Sequence, residues 1–156
     1  MIQMLPEDLR DQAGMERAFA YYFSRVQQEE PGTFNAMLDL KLEACRYDAQ
    51  QLVLRMEARP WMTNPGGILH GGIIASALDF AMGLLCRYCS GGAMTPTVSM
   101  EVGYLRPAPV EGAILVGAEI VKPGKTLMNA SAKMWLPGRE DRALAAATGI
   151  YFVPTA

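Results

Sequence analysis

The sequence predicts an α+β fold in which an antiparallel sheet curls around one long helix, and three observations predict it. Residues 73–88 are apolar at almost every position, too long a run for an ordinary strand and rich in helix formers. Six strand-length apolar or alternating stretches surround that run in the sequence, two before it and four after. Proline and glycine turn signals separate them.

In chain order, residues 6–30 place Leu9, Ala13, Phe19, Tyr22, Phe23 and Val26 at spacings near three and four among charged residues. That is the pattern of an amphipathic helix, and Pro31-Gly32 closes it. Over 36–46, Leu38, Leu40, Leu42 and Ala44 alternate with Asp39, Lys41 and Glu43, the period of a half-buried strand. Leu52, Leu54, Met56 and Ala58 alternate with Gln51, Val53, Arg55 and Glu57 in a second strand, and the short Asp48-Ala49 connection makes the two an antiparallel hairpin. A loop rich in Pro, Gly and Asn over 60–72 leads into the apolar helix, which must be wrapped because nearly all its faces are apolar. Four strands follow at 95–106, 112–122, 126–136 and 142–153, broken at 107–112, Pro123-Gly124 and Pro137-Gly138. With no repeat or linker, residues 1–156 read as one domain: an N-terminal helix at 6–30 and a core at 35–153.

Composition narrows the function classes. Hydrophobic residues make up 51% and charged residues 19%, so the chain has enough apolar surface to fold. The formal net charge is −2 and the 14 Lys and Arg residues are scattered, which argues against a nucleic-acid partner. Three cysteines, Cys45, Cys86 and Cys89, have no disulfide-framework spacing, and no basic-then-apolar leader is evident, so a reducing cytoplasm is expected. The longest apolar run, 73–86, is interrupted by Asp79 and is shorter than the roughly 20 residues that span a bilayer, so no membrane span is expected. Cys86-Arg87-Tyr88-Cys89 has the spacing of a redox or zinc half-site, but no second Cys pair completes it, and packing is the simpler role. The eleven methionines, Met82 and Met94 among them, are read first as core filling.

The chemistry concentrates where the chain reads Asn64-Pro65-Gly66-Gly67-Ile68-Leu69-His70-Gly71-Gly72 and enters the helix that carries Asp79. A carboxylate on a core helix loses hydration and needs a partner, so Asp79 requires an explanation. Gly71 and Gly72 let a substrate approach the backbone, and unpaired N–H groups at a helix start favour developing negative charge. Gly71 N–H, with the Asn64 amide nearby, can therefore stabilise a carbonyl turning tetrahedral, while Asp79 activates or positions water. His70, the one histidine, either contacts substrate or hydrogen-bonds the loop.

Asn64 lies six residues before His70-Gly71-Gly72 and Asp79 lies nine residues after His70. In this register, over 35–153, the chain resembles the hotdog-fold thioesterases, in the phenylacetic-acid-pathway (PaaI-like) branch of the 4-hydroxybenzoyl-CoA thioesterase superfamily. The resemblance implies an acyl-CoA substrate hydrolysed without metal or cofactor, with Gly71 N–H on the thioester oxygen, Asn64 polarising the reacting group and Asp79 as general base or nucleophile. It also implies a Ser or Thr on the strand after the helix that assists the water, placed at Thr97 by counting back from Tyr104-Leu105-Arg106-Pro107. CoA would meet the turn Val121-Lys122-Pro123-Gly124-Lys125, where Lys125 replaces the commoner arginine and Lys122 and Gly124 flank it; Gly72 completes the substrate-binding set. A homodimer, or a dimer of dimers, with sites shared between protomers is implied as well. Two other readings stay open: a hotdog hydratase or dehydratase, for which His70 is indispensable, and a non-catalytic acyl-CoA-binding protein, against which Asp79 argues.

Overall fold

The computed structural model describes residues 9–29 and 31–154; the expected helix start at 6–8 and its last residue, Glu30, lie outside the described residues. Helix α1 (Gln12–Glu29) begins where Asp11 Oδ1 accepts the Gly14 N–H at 2.6 Å, a side-chain cap for one of the orphan donors. Its stripe buries Met15, Phe19 and Val26.

The 36–46 stretch departs from its expected strand. Thr33 caps a five-residue helix α2 (Phe34–Leu38), its hydroxyl accepting from Ala36 N–H, and Asp39 ends it in the left-handed region at φ 50°. Strand β1 (Lys41–Arg46) starts only afterwards, and an irregularity between Leu42 and Ala44 turns Cys45 inward, leaving Ala44 exposed. The alternation over Leu38 and Leu40 therefore came from a short helix and its exit. Both leucines are buried all the same.

The remaining elements fall near the expected stretches: β2 (Gln51–Glu57), α3 (Gly71–Cys89), β3 (Thr97–Tyr104), β4 (Ala113–Lys122), β5 (Leu127–Trp135) and β6 (Ala145–Phe152). The six strands form one antiparallel sheet in the order β1-β2-β4-β5-β6-β3, which makes β1 and β3 its edges. Period-two alternation sends Leu52, Leu54 and Met56 of β2, Ile114, Val116 and Ala118 of β4, and Ala130, Ala132 and Met134 of β5 to one face. There they meet α3, which packs on β2, β3, β4, β5 and β6. At about 1.5–3 kcal/mol for each large apolar side chain buried, this layer supplies most of the driving force for the fold.

Helix α3 is not wrapped on every side. Ile73, Ile74, Ala77, Leu78, Ala81, Met82 and Leu85 face the core, whereas Ala75, Ser76, Asp79, Phe80 and Gly83 are only half-buried. Part of that outer face is covered by α1, whose Tyr22 and Phe23 rings lie 6.0 and 6.3 Å from the Phe80 ring, with Phe19 5.3 Å from Tyr88. By length and composition α3 could cross a membrane, yet its buried side chains are spent on the protein's own sheet. It is the core helix.

Candidate active site

The start of α3 is built by its own loop. His70 is the N-cap, and its Nδ1 accepts the Gly72 N–H at 2.9 Å. Ile73 and Ile74 N–H both bond to His70 carbonyl oxygen, at 2.9 and 3.2 Å. The Gly71 N–H, first in the helix, has no acceptor among the described residues. The imidazole thus fills the loop-bonding role considered for it, and with Nδ1 accepting, a neutral ring carries its proton on Nε2.

Asn64 is oriented by the same loop. Its Oδ1 accepts from Gly66 N–H at 2.9 Å, so the side-chain NH₂ is the end left to donate. Backbone bonds fix the frame: Asn64 N–H to Ile68 O at 2.9 Å, His70 N–H to Met62 O at 2.8 Å and Leu69 N–H to Ala108 O at 3.0 Å. A cavity of about 340 Å³ opens here, lined by Asn64, Leu69, Gly71, Ile74, Tyr104 and Arg106. Tyr104 closes the helix start by donating its hydroxyl to the Gly71 carbonyl oxygen at 3.0 Å.

The second group of polar atoms lies farther along α3. Asp79 Oδ1 accepts two hydroxyls, from Thr97 and Tyr151, each at 2.8 Å. Among the described residues no donor reaches Oδ2. Thr97, located only by counting back along its strand, therefore does meet Asp79. Tyr151 escaped the sequence reading, although a signal existed: it sits on the core-facing side of β6 after Ala145, Ala147 and Gly149, and a buried phenol needs a partner. Burial first, and then the adjacent Asp79 charge, hold the Tyr151 phenol far above its ordinary range, so it is a permanent donor near neutral pH.

Asp79 does not line the cavity of Asn64 and Gly71. Eight residues of one helix separate Asp79 from Gly71, about 12 Å at 1.5 Å rise each. Lys122, Gly124 and Lys125 lie at the β4–β5 turn, outside that cavity too; both lysines are exposed and neither joins an ion pair among the described residues. A larger cavity of about 790 Å³ lies on the sheet's other face, beside Gln51, Glu119, Ser131 and Lys133, away from this chemistry. Burial pushes the Cys86 thiol up to about 12 and Cys89 up to about 11, so neither is a reactive thiolate at neutral pH. Among the described residues no cluster of three His, Cys, Asp or Glu side chains is placed to hold a metal ion.

A single antiparallel sheet cradling one long helix, entered through His-Gly-Gly and carrying one aspartate, has the plan of a hotdog-fold thioester hydrolase. The sequence model of the thioesterase superfamily matches residues 66–143, half of the chain. Acyl-coenzyme A thioesterase 13 of Mus musculus is 34% identical over 109 residues, covering 69% of this chain and 75% of that protein. The medium/long-chain acyl-CoA thioesterase YigI of Escherichia coli K12 is 32% identical over 139 residues, covering 77% and 84% respectively. Among solved structures, a phenylacetic acid degradation-related protein of Ralstonia eutropha superimposes with a TM-score of 0.71 at 25% identity, covering 85% of this chain and 99% of that one. The chain belongs to the thioesterase superfamily, and it is a thioester hydrolase.

Proposed function

We propose that the substrate is an acyl-CoA, hydrolysed to the free acid and CoA by an active site that two protomers share. The observation that carries this reading is the Gly71 N–H at a helix start, without an acceptor among the described residues and opening on the same cavity as Asn64. That N–H and the Asn64 amide hold the thioester oxygen and stabilise its charge as the carbonyl turns tetrahedral. Asp79, anchored through Oδ1, takes a proton from water, whose oxygen attacks the carbonyl carbon. Collapse of the intermediate breaks the C–S bond, and the departing CoA thiolate takes up the proton that Asp79 holds, which restores the carboxylate. Thr97 helps to hold the base in place.

The spacing along α3 argues for the second protomer, because a base about 12 Å from the oxyanion donor cannot reach the same carbon. A two-fold dimer sets Gly71 of one chain beside the partner's Asp79, twice. Two features favour such an interface: the outer stripe of α3 around Asp79 is only half-buried, and edge strand β3 leaves Val98 and Tyr104 exposed at 58% and 55%. The assembly is a homodimer or a dimer of dimers. Lys125, with Lys122 and Gly124, meets a CoA phosphate as a point charge, and Gly72 lets the substrate pass close to the backbone. The free thiols Cys45, Cys86 and Cys89 suit a reducing cytoplasm.

The test is purified protein with a panel of acyl-CoAs and a thiol reagent. Release of free CoA, dependent on acyl structure, is expected. No thiol release from any acyl-CoA, with turnover of other thioesters, would remove CoA from the reading.

A further inference from the structure

Tyr151 is fully buried on the inner face of β6, where its companions Ala145, Ala147 and Gly149 are all small. A phenol in such a place costs stability unless its hydroxyl is bonded, and phenylalanine would fill the space without that cost. Its one proton has two acceptors within reach, and both belong to Asp79: carboxylate Oδ1 at 2.8 Å, the shorter contact, and the main-chain oxygen at 3.2 Å. The ring that carries it is held in a slot made by two glycines. A Cβ on Gly149 would come within 2.8 Å of Tyr151 Cε2, and one on Gly83 of α3 would sit 3.4 Å from Cε1. A side chain at position 149 would have to push the ring aside.

Thr97 stands opposite Tyr151 in the β3–β6 register, so the two hydroxyls converge on Oδ1 from neighbouring strands. Two donors on one oxygen fix the rotation of the carboxylate and leave the other oxygen for chemistry.

We propose that Tyr151 is a positioning residue for hydrolysis, holding Asp79 by Oδ1 so that Oδ2 faces the water that attacks the thioester. This rests on Asp79 being the base. Fully buried, Tyr151 acts through Asp79 by denying the carboxylate its other rotamers. The slot at Gly83 and Gly149 belongs to the same device, since it sets where the phenol oxygen stops. A misplaced catalytic group loses rate out of proportion to the displacement.

The experiment is a double-mutant cycle of Tyr151→Phe and Asp79→Asn, with kcat, KM and unfolding temperature measured for all four proteins on the best acyl-CoA of the panel. Tyr151→Phe keeps the ring in its slot, so the fold is retained and KM is unchanged. Its kcat falls about tenfold to a hundredfold, the worth of one hydrogen bond to a charged group. In the Asp79→Asn background the same change has no further effect, because the base it positions is gone. Wild-type kcat in Tyr151→Phe beside a crippled Asp79→Asn would overturn the positioning role alone. Independent, multiplying losses would overturn it as well, marking Tyr151 as a packing residue. A fully active Asp79→Asn would overturn the base assignment, and Tyr151's role with it.

Discussion

The proposed carbonyl-binding end of the site is assembled from nine consecutive residues, 64–72, whereas the carboxylate end joins Asp79 to Thr97 and Tyr151, 18 and 72 residues away in sequence. The first is main-chain chemistry. Its proposed donor is a helix-start N–H; His70 and Asn64 shape the turn, and Asn64 keeps one amide free to donate in the proposed site. The second is side-chain chemistry, possible only after the sheet has folded against α3. The difference implies distinct failure modes: the carbonyl end should answer to backbone substitutions, and the carboxylate end to the loss of single polar atoms.

The largest effect is expected from Asp79→Asn. The amide is nearly isosteric, and its oxygen can still accept from Thr97 and Tyr151, so the protein should fold with its wild-type unfolding temperature nearly intact. Without a proton acceptor, kcat should drop about a hundredfold to ten-thousandfold, the usual worth of general acid–base catalysis. Retained turnover in a rate assay would mean that the carboxylate end is not catalytic.

Next in size is the pair Gly71→Pro and Gly71→Ala. Gly71 is the first helical residue, where proline is well tolerated, and His70 already has the extended φ −63°, ψ 134° that a following proline requires. In both variants the new Cβ meets the Tyr104 ring at 3.3 Å, so alanine controls for that contact. Proline alone removes the N–H and should lower kcat by a further factor of about 10²–10³. Equal kcat in the two would break the main-chain account.

The smallest effect is expected from His70→Ala. Losing the cap to Gly72 should cost about 1 kcal/mol of stability in a denaturant titration, with a modest change in kcat. A loss of rate as large as that of Asp79→Asn would instead point to a histidine–carboxylate pair.

The same contrast explains what was legible in the sequence. Alternation such as Leu52, Leu54, Met56 and the long apolar run over 73–88 are local patterns with a fixed period, so the strands and α3 were readable from them. The loop 64–72 was readable because glycines at a helix start have a local meaning. Helix α2 was not, because five residues are too few to establish a helical period and Leu38 and Leu40 happened to continue the alternation of β1. Thr33, three residues before Ala36, was the cap signal that could have revealed it. Tyr151 was hidden for a different reason: its partner is 72 residues away, and no local pattern announces a contact of that range. The half-open face of α3 was likewise invisible, since an all-round apolar helix reads as fully enclosed whether the cover comes from its own chain or from another.

The most direct test of the shared site is a hybrid dimer. Asn64→Ala and Asp79→Ala subunits, each expected to be inactive alone, are co-expressed with different tags and the hybrid is isolated by successive affinity steps. If the donor of one protomer works with the carboxylate of the other, each hybrid has one intact site and one that lacks both groups, and it should recover about half of the wild-type activity per dimer. A purified hybrid no more active than its parents would place donor and base on the same chain and contradict the account.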